Sequence, residues 1–355
     1  MANGEPSAMG DRPLPVSLLT GFLGSGKTTV LRHVLALPGM ARTAVIVNEL
    51  GEVGLDHHLI GTTVADNTVL LDNGCLCCAM KDDLIRTLRQ LYMRRYAGEV
   101  PPFERVVIET TGLADPASII HSLLTDQLLA DCFRLDGVLA TVDGVTGMAT
   151  LEAYAEAVKQ AAMADRLLLT KSDLVSDAEE AALRARLHDL NPGAPIITVV
   201  EGVVSPEQLF NAGYYNPETK TADVRRWLAA EAYQQTDEDH HHHDHDHEGH
   251  GDALDRPRHQ REIASFCVTL EEPLDWRDFV IRLRKLIATH GSKLLRIKGI
   301  VNVMGRDAPI VIHGVQHLLH PPVALEAWPD ADHRSRIVFI TRALDPEAVR
   351  QALAA

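Results

Sequence analysis

Short apolar runs alternate with helical stretches between residue 14 and about residue 204. The apolar runs are rich in β-branched side chains and lie at 16–20, 45–47, 69–71, 106–108, 137–142, 167–169 and 196–199. Helical periodicity separates them at 28–35, 81–96, 116–128, 150–163 and 178–190. Because the runs are continuous rather than alternating, we expect strands buried on both faces. The pattern predicts an α/β fold with a mostly parallel sheet covered by helices.

The pattern changes after residue 212. Residues 213–260 have few apolar positions, and seven of the fourteen residues 237–250 are His, interleaved with Asp and Glu. Without a periodicity that would build a packed element, 213–260 is predicted to be a flexible linker. A smaller α+β unit follows over 261–355, with strands predicted at 263–270, 294–304, 309–313 and 337–341 and helices at 276–289 and 346–353. The remaining residues, 1–212, form the larger α/β domain.

Charge and composition argue against nucleic acid and membranes as partners. A net charge of −15 argues against a nucleic-acid surface, which normally needs a basic patch. No segment offers the roughly 18 uninterrupted apolar residues of a membrane helix, and residues 1–15 lack the pattern of a signal peptide. We expect a cytoplasmic protein that binds neither nucleic acid nor membrane.

Residues 21–28 read Gly-Phe-Leu-Gly-Ser-Gly-Lys-Thr, between a predicted strand and a predicted helix. In that context the pattern G-x-x-x-x-G-K-[ST] indicates a loop whose backbone N–H groups bind a polyphosphate. Lys27 is predicted to reach the outer phosphates, and the Thr28 hydroxyl suits Mg²⁺. The predicted nucleotide-binding residues of this segment are Gly21, Gly24, Ser25, Gly26, Lys27, Thr28 and Thr29.

The run 106–108 ends in Glu109, and Gly112 follows shortly after. This is the layout of a Walker B strand, in which a carboxylate supports Mg²⁺ and the N–H of a glycine contacts the γ-phosphate. Lys27, Thr28 and Glu109 are therefore the predicted catalytic residues.

The run 167–169 leads into Thr170-Lys171-Ser172-Asp173, which is similar to the Asn-Lys-x-Asp guanine motif of GTPases. Asp173 would accept hydrogen bonds from guanine, and the aliphatic stem of Lys171 would cover the base. Thr170 stands where that motif has Asn, and its hydroxyl can replace part of the bonding of the amide. The motif favours GTP over ATP.

Cys75, Cys77 and Cys78 lie within four residues, too close together for an ordinary disulfide framework. Clustered thiolates suit zinc or another thiophilic metal, although redox cysteines are an alternative. The fourth ligand is open: a carboxylate, a His, a water or a side chain of a partner. Glu49 and Glu52 follow the second strand and are candidates, unless they belong to a solvated acidic loop. Cys132 and Cys267, by contrast, are expected in the core.

Taken together, segments 21–28, 48–56, 74–78, 109–116 and 170–173 resemble the CobW family of GTPases, relatives of the accessory GTPases that insert nickel into hydrogenase and urease. The Cys-x-Cys-Cys loop is the most specific mark of that family, and residues 294–300 are similar to its C-terminal domain. The resemblance implies a GTP-hydrolysing metallochaperone. It implies GTP, Mg²⁺ and Zn²⁺, or else Co²⁺ or Ni²⁺, and a metal site at Cys75, Cys77 and Cys78.

In the mechanism expected for such a protein, the bound nucleotide controls the affinity for the metal. Mg²⁺ and GTP order the segments after the second and fourth strands, Glu49 or Glu52 approaches the thiolates, and hydrolysis releases the metal to a client metalloprotein. The C-terminal unit is expected to dock the client, and the chain to be a monomer or a dimer controlled by nucleotide or metal. The His-rich run is either an accessory metal binder or only a linker. Two rivals remain: a GTP-switch scaffold with a structural zinc, and an ATP-dependent kinase or transferase.

Overall fold

A computed structural model describes residues 13–47, 69–72, 80–210 and 263–354 and places their strands in two sheets. The first sheet has seven strands in the order β3-β2-β4-β1-β5-β6-β7, and every neighbouring pair is parallel. Its strands are β1 (Leu14–Gly21), β2 (Thr43–Val47), β3 (Val69–Asp72), β4 (Arg105–Glu109), β5 (Phe133–Asp143), β6 (Arg166–Thr170) and β7 (Ile196–Val199). Because β1 lies between β4 and β5, residues that follow these three strands meet at one edge of the sheet.

Helices of the first unit pack on both faces of this sheet. Within the described residues they are α1 (Lys27–Leu35), α2 (Met80–Tyr96), α3 (Pro116–Thr125), α4 (Gln127–Cys132), α5 (Gly147–Ala153), α6 (Ala155–Met163), α7 (Asp177–Leu190) and α8 (Pro206–Leu209). Successive strand residues enter opposite cores: Leu18 packs with residues of α2 and α3, and Leu19 packs with residues of α1. This explains the continuous apolar runs and confirms the predicted fold class. Within the described ranges, no helix combines the length and apolar character that crossing a membrane requires.

Two helices predicted as continuous are broken in the structure. The stretch 116–128 divides at Asp126, which has an extended backbone and caps α4 by accepting a hydrogen bond from Leu129 N–H at 3.1 Å. A short polar side chain competes in this way with the helical hydrogen bonds of the backbone. The stretch 150–163 begins earlier, at Gly147, and divides at Tyr154, which is also extended and whose ring lies 4.5 Å from that of Phe22.

The second sheet is antiparallel and has six strands, with the order β11-β10-β9-β13-β8 and β12 beside β10. Two helices in the described part of this unit cover the sheet through a shared apolar core. The predicted strand at 294–304 ends three residues early, and the two-residue strands β11 and β12 were not predicted. The elements are β8 (Ile263–Leu270), α9 (Trp276–His290), β9 (Leu294–Val301), β10 (Ile310–Val315), β11 (Leu318–Leu319), β12 (Val323–Ala324), β13 (Ser335–Arg342) and α10 (Pro346–Ala354).

The two sheet units meet along a contact that we call the seam, formed by the C-terminal end of α6, Asp165, and the strands β9 and β13. Ala162 of α6 is fully buried there against Leu295 and Ile340. Beside this apolar contact, the buried Asp165 carboxylate accepts a hydrogen bond from Arg296 and lies 3.2 Å from Lys298 Nζ. The seam thus combines an apolar contact with a buried ionic cluster.

Candidate nucleotide-binding site

Residues 22–26 turn the chain from β1 into α1. Gly21, Gly24 and Gly26 have φ angles of 141°, 72° and 90°, which L side chains rarely adopt. A Cβ on Gly21 would also lie 2.2 Å from Thr141 Oγ1. Gly26 is the N-cap of α1 and has no side chain to accept hydrogen bonds from the first turn. The N–H groups of that turn are therefore available to an anion.

Neighbouring strands hold this loop in shape. The Ser25 hydroxyl donates to Phe22 O at 2.7 Å and lies 2.6 Å from Thr141 Oγ1 at the end of β5. Thr170, the last residue of β6, donates its hydroxyl proton to Ser25 O at 2.9 Å. The Thr170 hydroxyl therefore supports the phosphate loop from the position where the guanine motif has Asn.

The three predicted catalytic residues lie at this loop. Lys27 Nζ donates to the carbonyl oxygens of Gly21 and Phe22 at 2.9 and 3.1 Å. Thr28 Oγ1 donates to Glu109 Oε1 at 2.6 Å, and the Glu109 residue is 5% exposed at the end of β4. A hydroxyl and a carboxylate oxygen side by side are ligands that Mg²⁺ prefers. These residues therefore fit the predicted magnesium site.

The segment after β4 packs directly on the phosphate loop. A Cβ on Gly112 would lie 2.6 Å from the backbone nitrogen of Leu23, so this position requires glycine. The buried side chain of Gln160 in α6 donates to Gly112 O at 3.1 Å and to Ala114 O at 3.0 Å. Sequence reasoning missed Gln160, since nothing in the sequence around it links it to residues about fifty positions earlier.

The predicted base-binding residues follow β6. Lys171 has a left-handed backbone, and its Nζ donates to Gly24 O at 2.9 Å and to Asp143 Oδ2 at 2.6 Å. Asp173 is exposed in the 3₁₀ turn after it. Lys171 thus connects the base motif to the phosphate loop.

Asp143 was not predicted, although a signal exists, because it ends an apolar strand at the same sheet edge as Glu109. Burial raises the pKa of its carboxyl, but hydrogen bonds from Lys171 and from the N–H groups of Val145 and Thr146 outweigh burial. The pKa of Asp143 is therefore held below its ordinary value. It remains charged and fixes the Lys171 ammonium.

The predicted metal ligands Glu49, Glu52, Cys75, Cys77 and Cys78 lie outside the described residues. The structure does show the strands from which both segments continue: β2 and β3 are adjacent and parallel, with Val47 opposite Asp72. Across the four described ranges, no group of three or more His, Cys, Asp or Glu side chains could hold a metal ion. Among the described residues, Cys132 and Cys267 form no disulfide and are only half-buried, with Cys132 packed against the core.

Comparison with known proteins matches both sheet units. Residues 15–198 match the CobW/HypB/UreG nucleotide-binding domain, and residues 263–355 match the cobalamin synthesis protein cobW C-terminal domain. The first match contains the predicted nucleotide-binding residues and the predicted metal ligands Glu49, Glu52, Cys75, Cys77 and Cys78, but not the His-rich run.

Relatives span nearly the whole chain. The zinc chaperone YjiA of Escherichia coli K12 is 34% identical over 342 residues, which cover 96% of this chain and 98% of that protein. The zinc chaperone CobW of Pseudomonas aeruginosa is 31% identical over 358 residues, which cover 96% of this chain and 90% of that protein. The crystal structure of Zn(II)-bound YjiA GTPase from E. coli aligns with a TM-score of 0.70 at 29% identity, covering 97% of this chain and 99% of that one.

Proposed function

This chain belongs to the CobW/HypB/UreG family, and from that premise we propose that it is a GTP-hydrolysing zinc chaperone. Its cargo is Zn²⁺, which it binds at the Cys-x-Cys-Cys loop and passes to a client protein under the control of the bound nucleotide.

One observation carries the nucleotide half of the proposal: the 2.6 Å contact between Thr28 Oγ1 and Glu109 Oε1, beside a helix N-terminus that no side chain caps. The phosphates of GTP bind over this loop, and the Lys27 ammonium exchanges its backbone carbonyls for phosphate oxygens, which are stronger acceptors. Mg²⁺ bound to the Thr28 and Glu109 oxygens would offset the negative charge of the phosphates.

The guanine base is assigned to the segment after β6. Asp173 is exposed and free to accept hydrogen bonds from the base, while Asp143 and Gly24 O hold the Lys171 head so that its stem covers the ring. Guanine presents its N1–H and its amino group side by side to a carboxylate at Asp173, whereas adenine has an acceptor at N1, so this geometry supports GTP.

The zinc half rests on the relatives and on the topology. YjiA of E. coli and CobW of P. aeruginosa are named zinc chaperones. The segments that carry Glu49 and Cys75 continue from the ends of the adjacent strands β2 and β3, which favours a shared site. These ends belong to the same sheet edge as the phosphate loop, Glu109 and Lys171, which we call the nucleotide edge. We assign Cys75, Cys77 and Cys78 as thiolate ligands, with Glu49 or Glu52 as the fourth. A coupling of about 1 to 3 kcal/mol between nucleotide and metal would change zinc affinity roughly 5- to 150-fold.

The client is a metalloprotein that shares the reducing compartment of the cytosol, where thiolates stay available for zinc. Its docking surface is assigned to the C-terminal unit, which contacts the first unit at the seam.

The proposal is tested by titrating Zn²⁺, Co²⁺ and Ni²⁺ against a chelator, with Mg²⁺ and a non-hydrolysable GTP analogue, with Mg²⁺–GDP, or without nucleotide. We expect zinc to bind more tightly in the presence of the GTP analogue, and this dependence to vanish in the double variant Cys77→Ala, Cys78→Ala. Equal zinc affinity in all three states would instead identify a scaffold with a structural zinc. Competition by ATP as effective as that by GTP would point to the kinase alternative.

A further inference from the structure

Helix α6 contacts the nucleotide edge at one end and the C-terminal unit at the other. Its start follows Tyr154, whose ring lies 4.5 Å from that of Phe22 in the phosphate loop. Its middle carries Gln160, and its last turn is buried at the seam. A helix of nine residues is about 13 Å long, short enough to move as one rigid piece.

The contacts of α6 with the loop after β4 are specific. Gln160 is 1% exposed, and its amide donates to Gly112 O and Ala114 O. One residue earlier, Lys159 Nζ lies 3.2 Å from Asp115 Oδ2. Asp115 in turn caps α3 through a hydrogen bond from Ala117 N–H at 3.0 Å. The segment 112–115 therefore cannot shift relative to α6 without losing these bonds.

The other end of α6 is held by both units. Asn191, at the C-terminal end of α7, donates its amide protons to the carbonyls of Ala161, Ala162 and Ala164 at 2.8 to 3.1 Å. Arg296 of β9 donates to the carbonyl of Met163 in the last turn of α6. The guanidinium also bonds Asp165, which lies two residues after the helix.

The same short helix is hydrogen-bonded to both places, so a displacement of α6 at one place would strain the hydrogen bonds at the other. We propose that Gln160 is a positioning residue that sets Gly112 toward the γ-phosphate, and that α6 couples the nucleotide state to the C-terminal unit through Arg296. This inference rests on the proposed GTPase function and adds a route by which a client docked on the C-terminal unit changes GTP affinity and hydrolysis. By thermodynamic linkage, GTP must change client affinity by the same factor.

The test uses the full chain and compares Gln160→Met, Arg296→Lys and the double variant. Methionine keeps the volume of glutamine but cannot donate, and lysine keeps the charge but cannot bond Met163 O and Asp165 together in the geometry of a guanidinium. The measured quantities are the Mg²⁺-dependent affinities for a non-hydrolysable GTP analogue and for GDP, together with kcat and KM for GTP. Arg334→Lys is the matched control, because Arg334 bonds Asp332 and Glu271 within the C-terminal unit.

We expect both single variants to lower the ratio of GTP-analogue to GDP affinity by about fivefold or more, although Arg296 lies in the other unit. The double variant should lose no more than the larger single effect, since both changes break one link. The Arg334→Lys control should keep the wild-type ratio. If Gln160→Met does not fold, as judged by circular dichroism, Lys159→Gln replaces it and tests the same attachment through Asp115.

Three results would overturn the coupling: an unchanged ratio in both folded variants, equal weakening of both nucleotides, or effects that add in the double variant. A wild-type chain that hydrolyses no GTP would instead refute the proposed function, so the two failures are distinguishable.

Discussion

The nucleotide edge and the seam both contain cations that bond to other groups of the protein, but the partners differ between the two regions. At the edge, Lys27 donates to two backbone carbonyls, and Lys171 donates to a third and to Asp143. At the seam, Arg296 bonds the carboxylate of Asp165, which Lys298 also approaches and which accepts from Val138 N–H at 2.9 Å.

A neutral carbonyl is a weaker acceptor than a phosphate oxygen, so the Lys27 ammonium can be recruited by a ligand. A cation that already bonds a buried carboxylate gains little free energy by binding a ligand instead. Breaking such a buried cluster lowers the stability of the fold. The comparison predicts that the cations at the nucleotide edge serve ligand binding and that those at the seam serve structure. The following variants test this division, from the largest expected effect to the smallest.

Thr28→Val should nearly abolish GTP hydrolysis while leaving the fold intact. Removing the hydroxyl deletes one of the two oxygens at the proposed magnesium position, and we expect kcat to fall about 10²- to 10³-fold. Steady-state phosphate release measures the rate, and thermal unfolding without nucleotide checks stability. The control is Thr43→Val: the Thr43 hydroxyl at the start of β2 is buried with no hydrogen-bond partner in the described residues, so its loss should leave kcat unchanged. An active Thr28→Val chain would remove Thr28 from the catalytic set.

Asp165→Asn should act on stability. The change leaves Arg296 and Lys298 beside a neutral amide in a buried site, and we expect the free energy of unfolding to fall by about 3 kcal/mol. Urea denaturation measures it. Asp330→Asn is the control, because Asp330 forms a partly exposed ion pair with Arg336, for which a loss of at most about 1 kcal/mol is expected. If the free energy of unfolding falls equally in the two variants, the ionic cluster at Asp165 contributes no more than a surface ion pair does.

His320 follows β11 and is buried near Arg296 and Asp165, and we expect it to make the seam sensitive to acid. Burial and the nearby Arg296 guanidinium lower its pKa to about 4, and Asp165 opposes this only in part. In the unfolded chain the pKa returns to about 6.5, so protonation stabilises the unfolded state first. The contribution of His320 to stability is fully present above pH 6.5 and is lost as the pH falls toward 4. By pH 5 the free energy of unfolding has fallen by about 2 kcal/mol from this cause. Urea midpoints at pH 5 and pH 7 should differ less in His320→Leu than in the wild type. An identical pH dependence would contradict the shifted pKa.

The phosphate loop was predictable because its chemistry is contiguous. Eight neighbouring residues supply the glycines, Lys27 and Thr28, and the strand before them orients the turn. Glu109 was also predictable, since a carboxylate at the end of an apolar strand must lie at the carboxyl edge of a parallel sheet. Asp143 satisfies the same rule and was overlooked. The breaks at Asp126 and Tyr154 carry no Pro or Gly, and for this reason the helical pattern ran through them.

The metal ligands Cys75, Cys77 and Cys78, with Glu49 or Glu52, stay a prediction, as do the domain boundaries at 212 and 260. The family, the fold class and the identity of the chain as a GTPase relative of zinc chaperones are confirmed.

The sequence by itself determined the class of fold, the phosphate loop and the family, because each depends on neighbouring residues or on the period of apolar positions. Only the tertiary structure decided that Gln160 holds Gly112 and that Arg296 meets Asp165 across 131 residues. Such pairs depend on how α6 and the C-terminal sheet dock. The packing of extended surfaces determines how α6 and the C-terminal sheet dock, and this docking cannot be predicted from the local sequence of either segment.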